Sequence, residues 1–130
     1  MGGRMQARRG ELIDVLSFPG FVVERDGVLT YRQDDGGCEL TVIAAGQRHT
    51  GIGTALINAL RAAVEGRIWL ITTNDNLDAI RFYQRRGFRL RRVHPGAVDV
   101  ARRLKPEIPD IGHYGIPMRD EVELELEPAD

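Results

Sequence analysis

The run Arg48-His49-Thr50-Gly51-Ile52-Gly53-Thr54-Ala55-Leu56 carries the clearest chemical signal in the sequence. It joins an apolar stretch to an amphipathic one. The first N–H groups of a helix have no intrahelical partner, and two glycines let a phosphate approach them closely. A P-loop would need Gly-Lys-Ser/Thr, and no lysine is near. A dinucleotide fingerprint would need Gly or Ala where Leu56 stands, and no acidic residue closes a following strand at the usual spacing. Two readings of the run remain open: a main-chain anion cradle, or a tight strand-to-helix turn whose glycines permit close packing.

The elements that must position this run follow from periodicity. Glu11 to Leu16 reads as a short helix, with Leu12, Ile13 and Leu16 on one side and Pro19-Gly20 stopping it. Phe21 to Arg25 and Val28 to Arg32 read as strands joined at Asp26-Gly27, and Asp34-Asp35-Gly36-Gly37 turns into a strand from Cys38 to about Ala44. From Ile52 to Val64 apolar residues recur at offsets of three and four, and Gly66 closes that helix. Arg67 to Thr73 is a nearly continuous apolar strand, so strand, helix and strand form a βαβ unit. Asn74-Asp75-Asn76 supplies capping side chains for a helix from Leu77 to about Arg86, ended by Gly87. Phe88 to Val93 is a strand and Ala97 to Leu104 a short helix. Arg119 to Glu127 alternates strictly, which predicts a strand with Val122, Leu124 and Leu126 inward and a solvated acidic face outward.

The bulk properties bound the function. The 130 residues suit one domain, 1–130, and 42% apolar with 28% charged content is that of a soluble globular protein. A formal charge of −1 gives no general attraction to nucleic acid or an anionic membrane. Arg89, Arg91, Arg92, Arg102 and Arg103 read as solvated strand and helix faces rather than a nucleic-acid stripe. The lone Cys38 cannot form an internal disulfide. With no export signal or membrane-length apolar run, the expectation is a cytoplasmic protein with no membrane partner.

The segment Asn76-Leu77-Asp78-Ala79-Ile80-Arg81-Phe82-Tyr83-Gln84-Arg85-Arg86-Gly87-Phe88 resembles the Asn-x-x-Ala-x-x-hydrophobic-Tyr-x-x-x-Gly-Phe signature of the GNAT (GCN5-related N-acetyltransferase) superfamily. Arg48 to Leu56 is likewise similar to that family's acyl-CoA pyrophosphate loop, Gln/Arg-x-x-Gly-x-Gly/Ala, at the right distance upstream. The resemblance covers Phe21 to Phe88. It implies an α/β (α+β) fold of acyl-CoA N-acyltransferase type, a mixed and largely antiparallel sheet flanked by helices and splayed at the cofactor site. The implied donor is acetyl-CoA, with no metal required.

Residue by residue, the resemblance assigns Arg48, His49, Thr50, Gly51, Ile52, Gly53 and Thr54 to the cofactor pyrophosphate. Val42 and Ile43 correspond to the backbone that pairs with the pantetheine arm and points an N–H at the thioester carbonyl, where it would hold the oxyanion. Asn76 matches the cofactor-contacting asparagine, and by position alone it also reads as a helix N-cap. Tyr83 stands where the family's tyrosine protonates the departing thiolate; without the motif it reads as a core aromatic. The glutamate that some members place five residues before the asparagine is here Ile71, which cannot accept a proton. Glu39 occupies the neighbourhood used by other members as general base, although a carboxylate starting a hairpin strand is ordinarily just solvated. His49 lies in the loop and His94 and His113 lie beside breakers, so none suits that role.

Only about 20 residues precede Phe21, with one expected helix and no strand, so the family's first strand and helix are expected to be absent. A smaller sheet, a homodimer partner covering the gap or a longer natural start would each account for this. The reading as a whole is an N-acetyltransferase acting on a small-molecule or protein amine by direct transfer in a ternary complex. A non-catalytic acyl-CoA-binding module is the alternative.

Overall fold

The computed structural model describes residues 5–8, 11–14, 19–23, 27–45 and 51–126. Eight strands and three helices are defined among them: β1 (Met5–Arg8), β2 (Glu11–Asp14), β3 (Gly20–Val23), β4 (Gly27–Asp34), β5 (Gly37–Ala45), α1 (Ile52–Ala63), β6 (Ile68–Thr73), α2 (Leu77–Arg85), β7 (Arg89–His94), α3 (Ala97–Leu104) and β8 (Glu121–Leu126). β3 to β8 form one sheet in the order β3-β4-β5-β6-β8-β7, with β5 and β6 parallel and every other neighbouring pair antiparallel. The expected mixed, largely antiparallel sheet is therefore present.

The helix expected over Glu11 to Leu16 is not. Glu11–Asp14 is extended and pairs antiparallel with Met5–Arg8, Arg8 opposite Glu11 and Met5 opposite Asp14, while 15–18 lie outside the described residues. An apolar run this short satisfies either period, and one turn of helix cannot repay its own nucleation, so pairing with a neighbouring segment decides the outcome. This ribbon is separate from the main sheet and lies against α3.

The core fills the space between the sheet and one helical layer. Leu56, Ile57 and Leu60 of α1 and Tyr83 of α2 pack with Phe88 on Leu29, Leu40, Leu70, Leu124 and Leu126. Leu29, Leu60 and Leu124 are completely buried, and each contributes about 1.5–3 kcal/mol by leaving water.

The opposite sheet face corrects the expectation of a solvated acidic strand. β8 is flanked by β6 and β7, so its acidic side is walled by neighbours. Glu121 and Glu123 are buried at 3% and 9% exposure. Arg67 supplies the compensating charge: its Nη2 lies 3.1 Å from Glu123 Oε2, its Nε binds Glu125, and its guanidinium stacks over Trp69. Arg102 departs in the same way from a solvated helix face. It donates to the carbonyls of Pro109 at 2.7 Å and Met118 at 2.6 Å, closing the long connection between α3 and β8.

Candidate functional site

The split that could hold a cofactor begins where β5 and β6 stop pairing. Their parallel register consists of Cys38 opposite Ile68 and Glu39 opposite Trp69, and no later residue of β5 pairs with β6. A bulge in β5 accompanies the divergence. Leu40 opposes Tyr31 and Val42 opposes Thr30, so Thr41 is the extra residue, its hydroxyl 2.6 Å from that of Thr30. A bulge adds local twist and re-aims the backbone beyond it, here that of Val42 and Ile43. β6 meanwhile stays fully paired with β8 on its other side. The two strands thus diverge from Glu39 and Trp69 toward their carboxyl ends, as expected for the splay.

α1 starts at that open end. Gly51 precedes it with φ 81°, no side chain caps the helix, and its first turn carries no acid. Ala55 N–H donates to Gly51 O at 2.9 Å. The N–H groups of Ile52, Gly53 and Thr54 precede the first intrahelical bond, so among the described residues this positive helix end has no side-chain cap and no acid in its first turn. The two glycines serve different purposes. Gly51 is required by its left-handed backbone, and a Cβ there would meet nothing within 4 Å. Gly53 makes room for a ring: a Cβ there would stand 2.8 Å from Phe82 Cζ, so this glycine sets the spacing of α1 against α2. Arg48, His49 and Thr50 lie outside the described residues.

Asn76 is built into the start of α2. Its Oδ1 accepts from Ala79 N–H at 3.3 Å and its Nδ2 donates to Thr72 Oγ1 at 3.2 Å, tying the helix to the end of β6. Tyr83 is 7% exposed, its ring 5.3 Å from those of Phe82 and Phe88 in edge-to-face pairs. Burial pushes its phenol pKa well above the ordinary value. The phenol therefore keeps its proton at neutral pH and is a weaker acid than an exposed tyrosine.

Glu39 lies at the vertex of the split and is 1% exposed, where a solvated carboxylate was the ordinary expectation for a hairpin strand. Because Cys38 and Leu40 on either side enter the helical core, Glu39 faces the opposite side of the sheet, where Arg32 Nη2 lies 3.2 Å from its Oε1. Ile71, in the alternative base position, opposes Glu123. Glu39 and Tyr83 thus belong to opposite sides of the sheet.

Two features have roles that the sequence did not assign. Asn74 accepts from the N–H groups of Arg119 and Asp120 at 3.0 Å each and donates to Pro117 O at 2.9 Å. Asp75, 1% exposed, accepts from His113 N–H at 2.9 Å. Together they strap the α3–β8 connection onto the junction of β6 and α2. The run Asn74-Asp75-Asn76 carried the signal, but all three residues suit a helix cap and only Asn76 serves as one. The second feature is Arg86, whose guanidinium lies 3.6 Å from the Phe82 ring centroid and binds Thr54 in the first turn of α1.

A bulged strand, a splayed parallel pair and an open helix end define the acyl-CoA-binding class of fold. The sequence profile of the acetyltransferase (GNAT) family matches residues 11–88. The chain belongs to that family. YdhI, an uncharacterized protein of Bacillus subtilis (strain 168), is 46% identical over 100 residues, which are 74% of this chain and 62% of YdhI. The chain thus spans less than two thirds of that curated relative. Among solved structures, a GNAT family acetyltransferase from Elizabethkingia anophelis with acetyl-CoA bound superposes with a TM-score of 0.66 at 22% identity, covering 80% of this chain and 69% of the other. A Bacillus subtilis acetyltransferase in complex with CoA gives 0.64 at 25% identity, covering 80% and 70%.

Proposed function

We propose that this chain binds acetyl-CoA in the β5–β6 split and transfers its acetyl group to an amine within a ternary complex. The observation that carries the reading is the divergence of β5 from β6 beyond Glu39 and Trp69, with the uncapped start of α1 at its open end. The pyrophosphate would lie on the N–H groups of Ile52, Gly53 and Thr54, joined by Arg48, His49 and Thr50 of the preceding loop. The pantetheine arm would add its amides to the free edge of β5, with the N–H at Val42 or Ile43 facing the thioester oxygen.

In this scheme the acceptor nitrogen attacks the thioester carbon and the carbonyl becomes an oxyanion held by that N–H. Collapse expels the CoA thiolate, and Tyr83 gives it the phenolic proton. The amine must lose one proton before or during attack. Glu39 is the candidate acceptor for it, reached from the face opposite the helices and held by Arg32. Asn76 keeps the β6–α2 junction in place while its side chain borders the cofactor.

Calorimetric titration with acetyl-CoA tests the donor site, with micromolar binding expected; no binding at millimolar ligand would overturn the reading. Thiol release over a panel of small amines and peptide amino termini then tests transfer. Binding without release from any acceptor would favour an acyl-CoA-holding module, the alternative consistent with the apolar Ile71.

A further inference from the structure

β7 ends the sheet, with β8 along its inner edge and no described strand along its outer one. That outer edge presents main-chain donors and acceptors open to pairing. The side chains of β7 are equally uncovered. Leu90 lies opposite Leu124 and Val93 opposite Val122, so both belong to the side of the sheet that α1 and α2 keep dry. Yet Leu90 is 56% and Val93 59% exposed, against 0% and 7% for Leu124 and Val122. On the other side of the sheet, Arg89 and Arg92 stand across from Glu125 and Glu123. Arg67 and His94 already hold those two carboxylates, and Arg91 comes only to 3.9 Å from Glu125. Arg89 and Arg92 form no ion pair or hydrogen bond among the described residues. Charge is concentrated here along the chain as well: Arg81 to His94 holds six arginines and no acid, in a protein of net charge −1.

Cations on an edge strand ordinarily deter pairing, and against a second copy of β7 they do so, because antiparallel self-pairing would set arginine against arginine. Toward an acidic strand the same residues are attractive. Two large apolar side chains on the same edge add no deterrent; they leave apolar area that association would cover. The chemistry that fits is displayed on the inner edge, where β8 sets Glu123 and Glu125 across from the arginines and Val122 and Leu124 across from Val93 and Leu90. A strand of the same alternation on the outer edge would meet the same two rows. The bulge between Leu90 and Arg92 does not end β7, since pairing with β8 continues on both sides of it.

We propose that the outer edge of β7 docks an extended acidic segment of a partner protein by strand addition, its apolar side chains beside Leu90 and Val93 and its carboxylates beside Arg89 and Arg92. This surface is independent of the acyl-CoA reading and stands or falls without it.

The probe is an eight-residue peptide alternating glutamate with isoleucine, titrated into the full chain and followed by amide chemical shifts and hydrogen exchange. The expected result is a dissociation constant of about 0.1–1 mM, with shifts and slowed exchange centred on β7. Two control peptides are expected not to bind: one with lysine in place of glutamate, and one N-methylated at alternate residues, which removes the pairing amides. Arg89→Gln with Arg92→Gln is expected to weaken the glutamate peptide about fivefold to twentyfold. Both side chains are exposed, so the thermal midpoint of this variant checks that the fold is kept; if it falls, Val93→Ser carries the same comparison through the apolar row. No shift at β7 up to about 5 mM peptide would overturn the proposal. Equal binding of the N-methylated peptide, or an unchanged affinity in the variants, would do the same. Tighter binding of a single-stranded RNA oligonucleotide of equal charge would make the face a general polyanion surface, and concentration-dependent shifts at β7 without peptide would make it a self-association edge; either result overturns the assignment.

Discussion

Tyr83 combines a buried ring with a phenol that keeps its proton. Enclosed between Phe82 and Phe88, its phenol is held in the neutral form across the physiological range. Tyr83→Phe preserves the ring packing and removes the proton, so turnover should fall by roughly tenfold to a hundredfold with acetyl-CoA affinity nearly unchanged. A large loss of affinity in calorimetry would contradict the acid assignment. Cys38 is buried in the same core, and desolvation with the nearby Asp34 charge pushes its thiol pKa up to about 11. The folded state holds that proton more tightly than the unfolded chain does, so the contribution is complete below the unfolded thiol pKa and disappears as pH rises through about 11. Denaturant midpoints between roughly pH 8.5 and 11 should therefore decline, and Cys38→Val should flatten that decline.

At the scale of elements, the distance between α1 and α2 depends on one missing side chain. Gly53 accepts the Phe82 ring where any Cβ would stand at 2.8 Å, and Arg86 ties the same two helices through Thr54. Gly53→Ala should lower stability by about 1–3 kcal/mol through overpacking, measured by urea denaturation. Combining it with Phe82→Leu should recover part of that loss, since the two sites share one contact and cannot add independently. Simple additivity would show that the glycine serves something other than helix spacing. The bulge at Thr41 acts similarly on β5, turning a regular strand into one whose far half departs from its neighbour.

Across the whole molecule, the sheet has a dry face under α1 and α2 and a charged face bearing Glu39, Glu123 and Glu125. Removing one cation from such a face leaves carboxylates without compensation. Arg67→Met should cost about 1–3 kcal/mol in thermal or chemical denaturation, although Arg67 itself is partly exposed. An unchanged midpoint would mean that neighbours such as His94, 3.2 Å from Glu123, compensate fully.

Much of this arrangement was legible along the chain. The Arg48–Leu56 run and the Asn76–Phe88 motif marked the family and the starts of α1 and α2, because glycines at a helix start and a capping asparagine act through local backbone geometry. The helices α1 and α2 and the alternation of β8 were legible for the same reason: periodicity is a local property. Which side of an alternating strand meets water is not. Val122, Leu124 and Leu126 were correctly assigned to the core, but burial of the glutamates between them depended on β8 inserting between β6 and β7 with Arg67 opposite, a contact between residues far apart in the chain. Glu11–Asp14 became a strand because Met5–Arg8 pairs with it. Arg86 looked like one arginine among several until folding laid it on Phe82 beside Thr54. The sequence by itself thus determined the family and the elements from β3 onward, which are set by residues near one another. Tertiary structure decided charge burial, strand pairing and the counter-charge around each ion, because desolvation and Coulomb energies depend on distance in space.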